Sequence, residues 1–173
     1  MSDPIDTRPT PFDPIALLGA IHDHGVDCVV IGGLAGVLHG SPATTNDADI
    51  VPDVAPDNLE RLAALLRDLD ARLRVADTPG GVPFDPHPSL LASMAMLNTT
   101  TRHGDLDIGF RPAGIDDYDA LRGNAVTFNV DGVEVLVASL DDVIRSKETA
   151  DRPKDRATLP LLRALRDEIN NRD

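Results

Sequence analysis

Residues 29–50, VVIGGLAGVLHGSPATTNDADI, place the tightest constraint on how this chain folds. The run VDCVVI (26–31) is apolar and β-branched, which suits a buried strand. It stops at Gly32 and Gly33. Residues 34–40 predict a short helix closing at Gly40, and DADIVPD (47–53) predicts a second strand. Side chains two apart on a strand point to the same side. Asp47 and Asp49 therefore project together, and two such carboxylates repel each other unless a positive charge lies between them.

The rest of the chain predicts alternating helices and hairpins. FDPIALLGAIHDHG reads as a first helix with Ile15, Leu18 and Ile21 on one face. APDNLERLAALLRDLDARLR reads as one long helix, because Leu59, Leu62, Leu66, Leu69 and Leu73 recur at spacings of three and four, with Asp57 or Asn58 as its cap. A Pro/Gly-rich loop is expected over 77–88. Two strands (93–101 and 105–110) are expected to form a hairpin through Arg102–Gly104. A short helix (116–123) leads to a second hairpin turning at Asp131-Gly132. Ser139 then caps a helix over 139–150, and a terminal helical region carries Leu162, Leu165 and Ile169. Hairpins rather than successive βαβ units predict an α/β (α+β) fold, a mixed β-sheet with helices packed on it. Residues 1–12, rich in Pro and Asp, read as a flexible lead-in. Residues 13–173 read as one domain, with a C-terminal helical region over about 139–173.

Composition narrows the function. With 16 basic and 29 acidic residues the net charge is −13, which disfavours general binding to a phosphate backbone. Five basic residues nevertheless fall within 145–156: Arg145, Lys147, Arg152, Lys154 and Arg156. They are either a local anion site or a solvated helix face. No apolar run is long enough to cross a bilayer, and the first residues lack the basic and apolar regions of a signal peptide. The single cysteine, Cys28, sits in an apolar strand pattern and reads as a buried structural thiol. Together these features predict a cytoplasmic protein without a membrane partner.

Paired hard oxygen ligands suit Mg²⁺, which is often held by one or two carboxylates plus substrate phosphates. GDLDIGF offers a third carboxylate in Asp107, flanked by Leu106 and Ile108, while Asp105 lies nearer the turn and reads as solvated. Three carboxylates on neighbouring strands suit metal-assisted displacement at phosphorus. Gly32 and Gly33, between a strand and a helix, let a phosphate come close to the backbone. Neither a P-loop nor a dinucleotide fingerprint is present. A D-x-D pair alone is usually a solvated edge, and a Gly-Gly pair alone is usually a turn. His39 and His103 read as packing and turn residues rather than ligands. Lys147 is either a phosphate-binding cation or an i,i+4 partner of Asp151.

The combination is more specific. Ile31-Gly32-Gly33, then Asp47-Ala48-Asp49-Ile50, then Leu106-Asp107-Ile108 resembles the nucleotidyltransferase superfamily with the polymerase-β-like palm. VASLDDVIRSKETADRPKD further resembles the basic segment of the AbiEii/MenT-type toxin nucleotidyltransferases, here Lys147, Arg152, Lys154 and Asp155. The resemblance covers roughly residues 14–166 and implies transfer of a nucleoside monophosphate from an NTP to an acceptor hydroxyl, with Mg²⁺. It implies that Asp47, Asp49 and Asp107 are the catalytic and metal-binding residues. It implies that Gly32, Gly33, Lys147, Arg152, Lys154 and Asp155 contact the nucleotide. The acceptor it implies is RNA, such as a tRNA 3′ end, in a toxin–antitoxin or phage-defence setting, with a cognate antitoxin as a further partner. AMP transfer to a protein or a small antibiotic-type molecule is the alternative within enzymes. A catalytically inactive binding module is the alternative outside them. Gly33 stands where relatives often carry Ser, Ala43 where they often carry a basic residue, and Ala48 where they often carry a branched one.

Overall fold

The computed structural model describes residues 10–173. In chain order the elements are α1 (Pro14–Asp23), β1 (Cys28–Ile31), α2 (Gly32–Leu38), β2 (Asp47–Pro52), α3 (Pro56–Asp68), β3 (Arg72–Val75), β4 (Thr78–Pro83) and α4 (Pro88–Ser93). They continue with β5 (Met96–Thr101), β6 (Gly104–Gly109), α5 (Tyr118–Asn124), β7 (Val126–Val130), β8 (Val133–Val137), α6 (Leu140–Ala150) and α7 (Pro153–Asn170). The strands form one sheet in the order β4-β3-β5-β6-β2-β1-β8-β7. The pairs β2–β6 and β1–β8 are parallel and the others antiparallel, so the sheet is mixed, as the hairpin-rich sequence predicts.

The pleat divides the two central strands cleanly. Ala48 and Ile50 of β2 and Leu106 and Ile108 of β6 are fully buried on one side. The alternate residues, Asp47, Asp49, Asp105 and Asp107, share the other side. The core is aliphatic, with Leu62, Leu65 and Leu66 of α3 among its fully buried side chains. On the β1 side of the sheet, α2 packs on β1, β2 and α6, and α6 packs on α7. Burial pushes the Cys28 thiol up to about 12, in keeping with a structural role.

Several expected boundaries move. The leucine periodicity of 56–75 spans two elements, not one. Asp70 adopts a left-handed conformation (φ 51°), and the Ala71 amide donates back to the Leu66 carbonyl, which ends α3. Leu73 continues the apolar pattern from β3, because helix and strand both bury their leucines in the same core. The expected loop over 77–88 is partly strand: β4 pairs with β3 as a hairpin through residues 76–77. Residues 88–93, between the expected loop and the expected strand, form α4, and the strand starts at Met96 rather than at 93. Ile15, expected on the buried face of α1, is 52 % exposed, and Leu17 is buried instead. Most of the expected lead-in lies outside the described residues, but Phe12 already packs against the core beside Gly104. The second hairpin turns as expected, with Asp131 (φ 52°) and Gly132 (φ 85°) both left-handed. Ser139 caps α6 by accepting from the Asp142 amide.

Asn58 does not cap α3, which starts at Ala55 and Pro56 without a side-chain cap. Its buried amide instead ties the ends of β1 and β2 together. It accepts from the Asp27 amide (2.8 Å) and donates to the carbonyls of Asp27 (2.9 Å) and Asp53 (2.7 Å). Replacing it removes three part-buried hydrogen bonds to the backbone, and only the Asp27 carbonyl keeps a second partner, the Asp53 amide. Asn58→Ala should therefore cost about 2–4 kcal/mol in urea unfolding, while Asp57→Ala on the same turn should cost under about 0.5 kcal/mol.

Candidate functional site

The parallel register of β2 and β6 sets Asp49 opposite Asp107 and Asp47 opposite Asp105. The third carboxylate thus comes from the adjacent strand, on the same face as the first two. Asp49 also stands opposite Ile31, the last residue of β1. Its carboxylate folds over Gly32, whose φ is 68° and where any Cβ would overlap Asp49 Oδ2. Gly32 therefore admits the Asp49 carboxylate first of all. A Cβ on Gly33 would come 3.0 Å from Thr45 Oγ1, and Thr45 donates to the Asp47 carbonyl (3.0 Å). The two glycines thus make room for the segment that carries the aspartates.

Burial, with Asp47 and Asp107 close by, pushes Asp49 up to about 7, against the pull of Lys154 and Lys147. Burial also raises Asp107, and Arg74 opposes that. This arginine has no counterpart among the sequence-predicted site residues. Its Nη2 lies 2.9 Å from Asp107 Oδ1 and its Nη1 3.2 Å from Asp105 Oδ2. The contact with Asp107 is an ion pair without hydrogen-bond alignment, so the buried Oδ1 has no hydrogen-bond partner. Asp105, expected to be solvated, is the other half of this arrangement.

Beside Asp49 opens a cleft of about 270 Å³, lined among others by Gly32, Met96, Arg111, Lys147 and Arg152. Arg111, just past the end of β6, is a second residue that sequence reasoning missed. Its signal was a basic residue directly after a strand bearing two aspartates. Lys147 comes from α6 and Arg152 from the junction with α7. Both are set by Asp155, which is 0 % exposed. Asp155 accepts from the Arg152 amide (3.2 Å), from Arg152 Nε (2.7 Å) and from Lys147 Nζ (3.5 Å). These donors hold its carboxyl below the usual range despite burial. Asp155 therefore cannot touch a nucleotide, contrary to the sequence expectation. It is the anion that aims two cleft cations. Lys147 pairs with Asp155, not with Asp151, which binds Arg156. Lys154 is exposed and does not line the cleft; it acts on Asp49 through its charge. His39 Nε2 donates to the Ala138 carbonyl (2.8 Å) and its ring packs edge-on against Phe128, a packing role as expected.

Among the described residues no three His, Cys, Asp or Glu side chains form a ready-made metal cage. Mg²⁺ does not require one, since it commonly takes one or two carboxylates and completes its shell with water and phosphate. Asp47 and Asp49 supply that number, and the raised Asp49 carboxyl marks unneutralised negative charge. The donor chemistry fits a hard divalent cation.

This geometry belongs to a nucleotidyltransferase fold. The chain superposes on the lincosamide antibiotic adenylyltransferase LnuA in its lincomycin-bound form with a TM-score of 0.59 at 15 % identity, covering 90 % of this chain and 99 % of that one. The antibiotic-resistance factor ANT(2'')-Ia gives 0.52 at 16 % identity over 90 % and 88 % of the two chains. An antigenic nucleotidyltransferase-like protein from Paracoccidioides brasiliensis gives 0.51 at 16 % identity over 88 % and 77 %. No protein-family model and no curated protein sequence matches the chain. No helix among the described residues is long and apolar enough to cross a membrane.

Two outcomes follow from the charges. With Asp49 raised from 3.8 to about 7, folding disfavours its ionised form. Near pH 3 the group is protonated in both states and nothing is lost. Stability falls as pH rises between the two values, and the full loss is present above pH 7. Asp49→Asn should raise the Tm of the metal-free protein by several degrees at pH 8 and leave it unchanged near pH 3, read by thermal melts in chelator. Asp155→Ala strands Lys147 and Arg152 beside an empty buried site, and should cost about 2–4 kcal/mol in urea unfolding.

Proposed function

We propose that this chain is a Mg²⁺-dependent nucleotidyltransferase that moves a nucleoside monophosphate from an NTP to the hydroxyl of a small cationic acceptor. The observation that carries the reading is the β2–β6 register. It sets Asp47, Asp49 and Asp107 on one face beside a cleft whose other wall carries Lys147, Arg152 and Arg111.

Asp47 and Asp49 would hold the metal, which when bound polarises the phosphates and screens their charge. Lys147 and Arg152, fixed by Asp155, would receive the triphosphate, Arg152 through its planar fork and Lys147 as a point charge. The acceptor oxygen would attack the α-phosphorus, forming one P–O bond as the bond to pyrophosphate breaks. Asp107 would take the hydroxyl proton. Pyrophosphate would leave along the cationic wall.

Charge distribution supports the acceptor class. Apart from the cations of the cleft and Lys154, the arginines near the carboxylates are already engaged: Arg74 by Asp105 and Asp107, and Arg72 by the carbonyls of Gly80 and Gly81. The −13 net charge and the row of four aspartates favour a cation over a polyanion. The two antibiotic-modifying neighbours share the fold. The RNA-directed reading, transfer to a tRNA 3′ end by an AbiEii/MenT-type toxin with an antitoxin partner, rests on the resemblance of the 147–155 segment. It forms a separate arm of the test.

The test supplies each α-labelled NTP and Mg²⁺ together with aminoglycosides and lincosamides, total tRNA, or lysate protein. Label should appear in a small cationic product and should vanish, by at least about a thousandfold, in Asp47→Ala/Asp49→Ala. Label in tRNA or protein would replace the acceptor assignment. Absence of label with every acceptor, together with absence of Mg²⁺–NTP binding by calorimetry, would overturn the enzyme reading.

A further inference from the structure

Arg74 is a device that the expected three-carboxylate site does not contain. It stands on β3, two strands from Asp107, with β5 between them. Residues Arg72, Thr100, Asp105 and Asp47 lie in register across four strands, and Arg74 follows on the same face, next to the row that holds Asp107 and Asp49. A local irregularity lies directly across from it. Leu73 pairs with Val82 and Val75 with Thr78, so residues 79–81 of β4 oppose the single residue 74. Gly80 (φ 79°) and Gly81 (φ 74°) form this bulge, and a Cβ on Gly81 would come 2.5 Å from the Leu73 carbonyl oxygen. Bulges of this kind re-aim a side chain and sharpen the local twist. The neighbouring arginine on the same face is consumed by the bulge itself, Arg72 Nε donating to Gly80 O at 2.8 Å. Arg74 also donates to the Thr99 carbonyl (3.3 Å), which steadies its head between the two carboxylates.

We propose that Arg74 is a positioning residue that clamps Asp105 and Asp107, so that Asp47 and Asp49 alone hold the resident divalent cation. In this arrangement the guanidinium stands where a second metal would otherwise be drawn. Asp107 is kept out of the metal shell, with its buried Oδ1 against Arg74 and its other oxygen, Oδ2, left for the acceptor. Four aspartates facing one space carry up to four negative charges, of which Arg74 offsets one and a divalent ion two. The inference rests on the proposed metal-dependent reaction but is read out separately from it.

Mn²⁺ binding, followed by electron paramagnetic resonance and calorimetry without acceptor, tests the clamp. The wild-type chain should take up one Mn²⁺. Asp107→Asn should change its affinity by less than about threefold, while Asp49→Asn should weaken it by more than about tenfold. Arg74→Gln releases Asp107 to ligate and should add a second Mn²⁺. Arg74→Lys keeps a cation there and should remain at one. In turnover, Arg74→Gln should lower kcat about 10- to 100-fold with the KM for nucleotide within about twofold, and Arg74→Lys should recover part of the loss. A tenfold loss of Mn²⁺ affinity in Asp107→Asn would overturn the clamp, as would an unchanged stoichiometry in folded Arg74→Gln. The Asp107→Asn measurement decides the point even if Arg74→Gln does not fold. Mn²⁺ uptake that obeys these rules without transfer to any acceptor would end the proposed reaction and leave the clamp standing.

Discussion

Mutual repulsion among carboxylates governs this molecule. The β2–β6 pairing aligns Asp47 and Asp49 with Asp105 and Asp107 on a face that the apolar residues between them do not share. Like charges so placed are unfavourable in any isolated sheet. They persist because the alternate side chains, Ala48, Ile50, Leu106 and Ile108, are fully buried and fix the register. A slip by one residue would bury the aspartates and expose the core. Hydrophobic burial on one side thus holds an electrostatically strained surface on the other.

Cations answer that strain at two places, each organised by its own acidic partner. At one end Arg74 spans Asp105 and Asp107. At the other, Asp155 gathers Lys147 and Arg152 at the edge of the cleft. Asp155 sits in the first turn of α7, where the helix dipole also favours a negative charge. Neither cation group neutralises Asp49, whose carboxyl stays raised. The space between the two groups is the one a divalent ion suits.

Much of this was legible in the sequence. The strand–Gly-Gly–helix–D-x-D order and the apolar flanks of Asp107 identify the central strands and the face their carboxylates share. What the chain hides is the role of residues whose neighbours are distant. The leucines of 59–73 mask the change from helix to strand, because period three-to-four and period two both place Leu69 and Leu73 in the core. Arg74 was lost with that strand, although Arg72-Leu73-Arg74 alternates as an edge-facing strand does. Asp155 was expected at the nucleotide through the resemblance of its segment, and a matching segment does not reveal depth. Its neighbour Pro153 starts a helix that turns the carboxylate inward.

The parallel pairings carry one more consequence. β1 pairs with β8 across more than a hundred residues, and Asp49 meets a strand supplied 58 positions later, at Asp107. Contacts of such long range close late, after local hairpins and helices have formed. The cationic wall comes later still, from residues 147–155. A chain cut short of residue 147 therefore carries the whole row of aspartates but neither Lys147 nor Arg152 across the cleft from it.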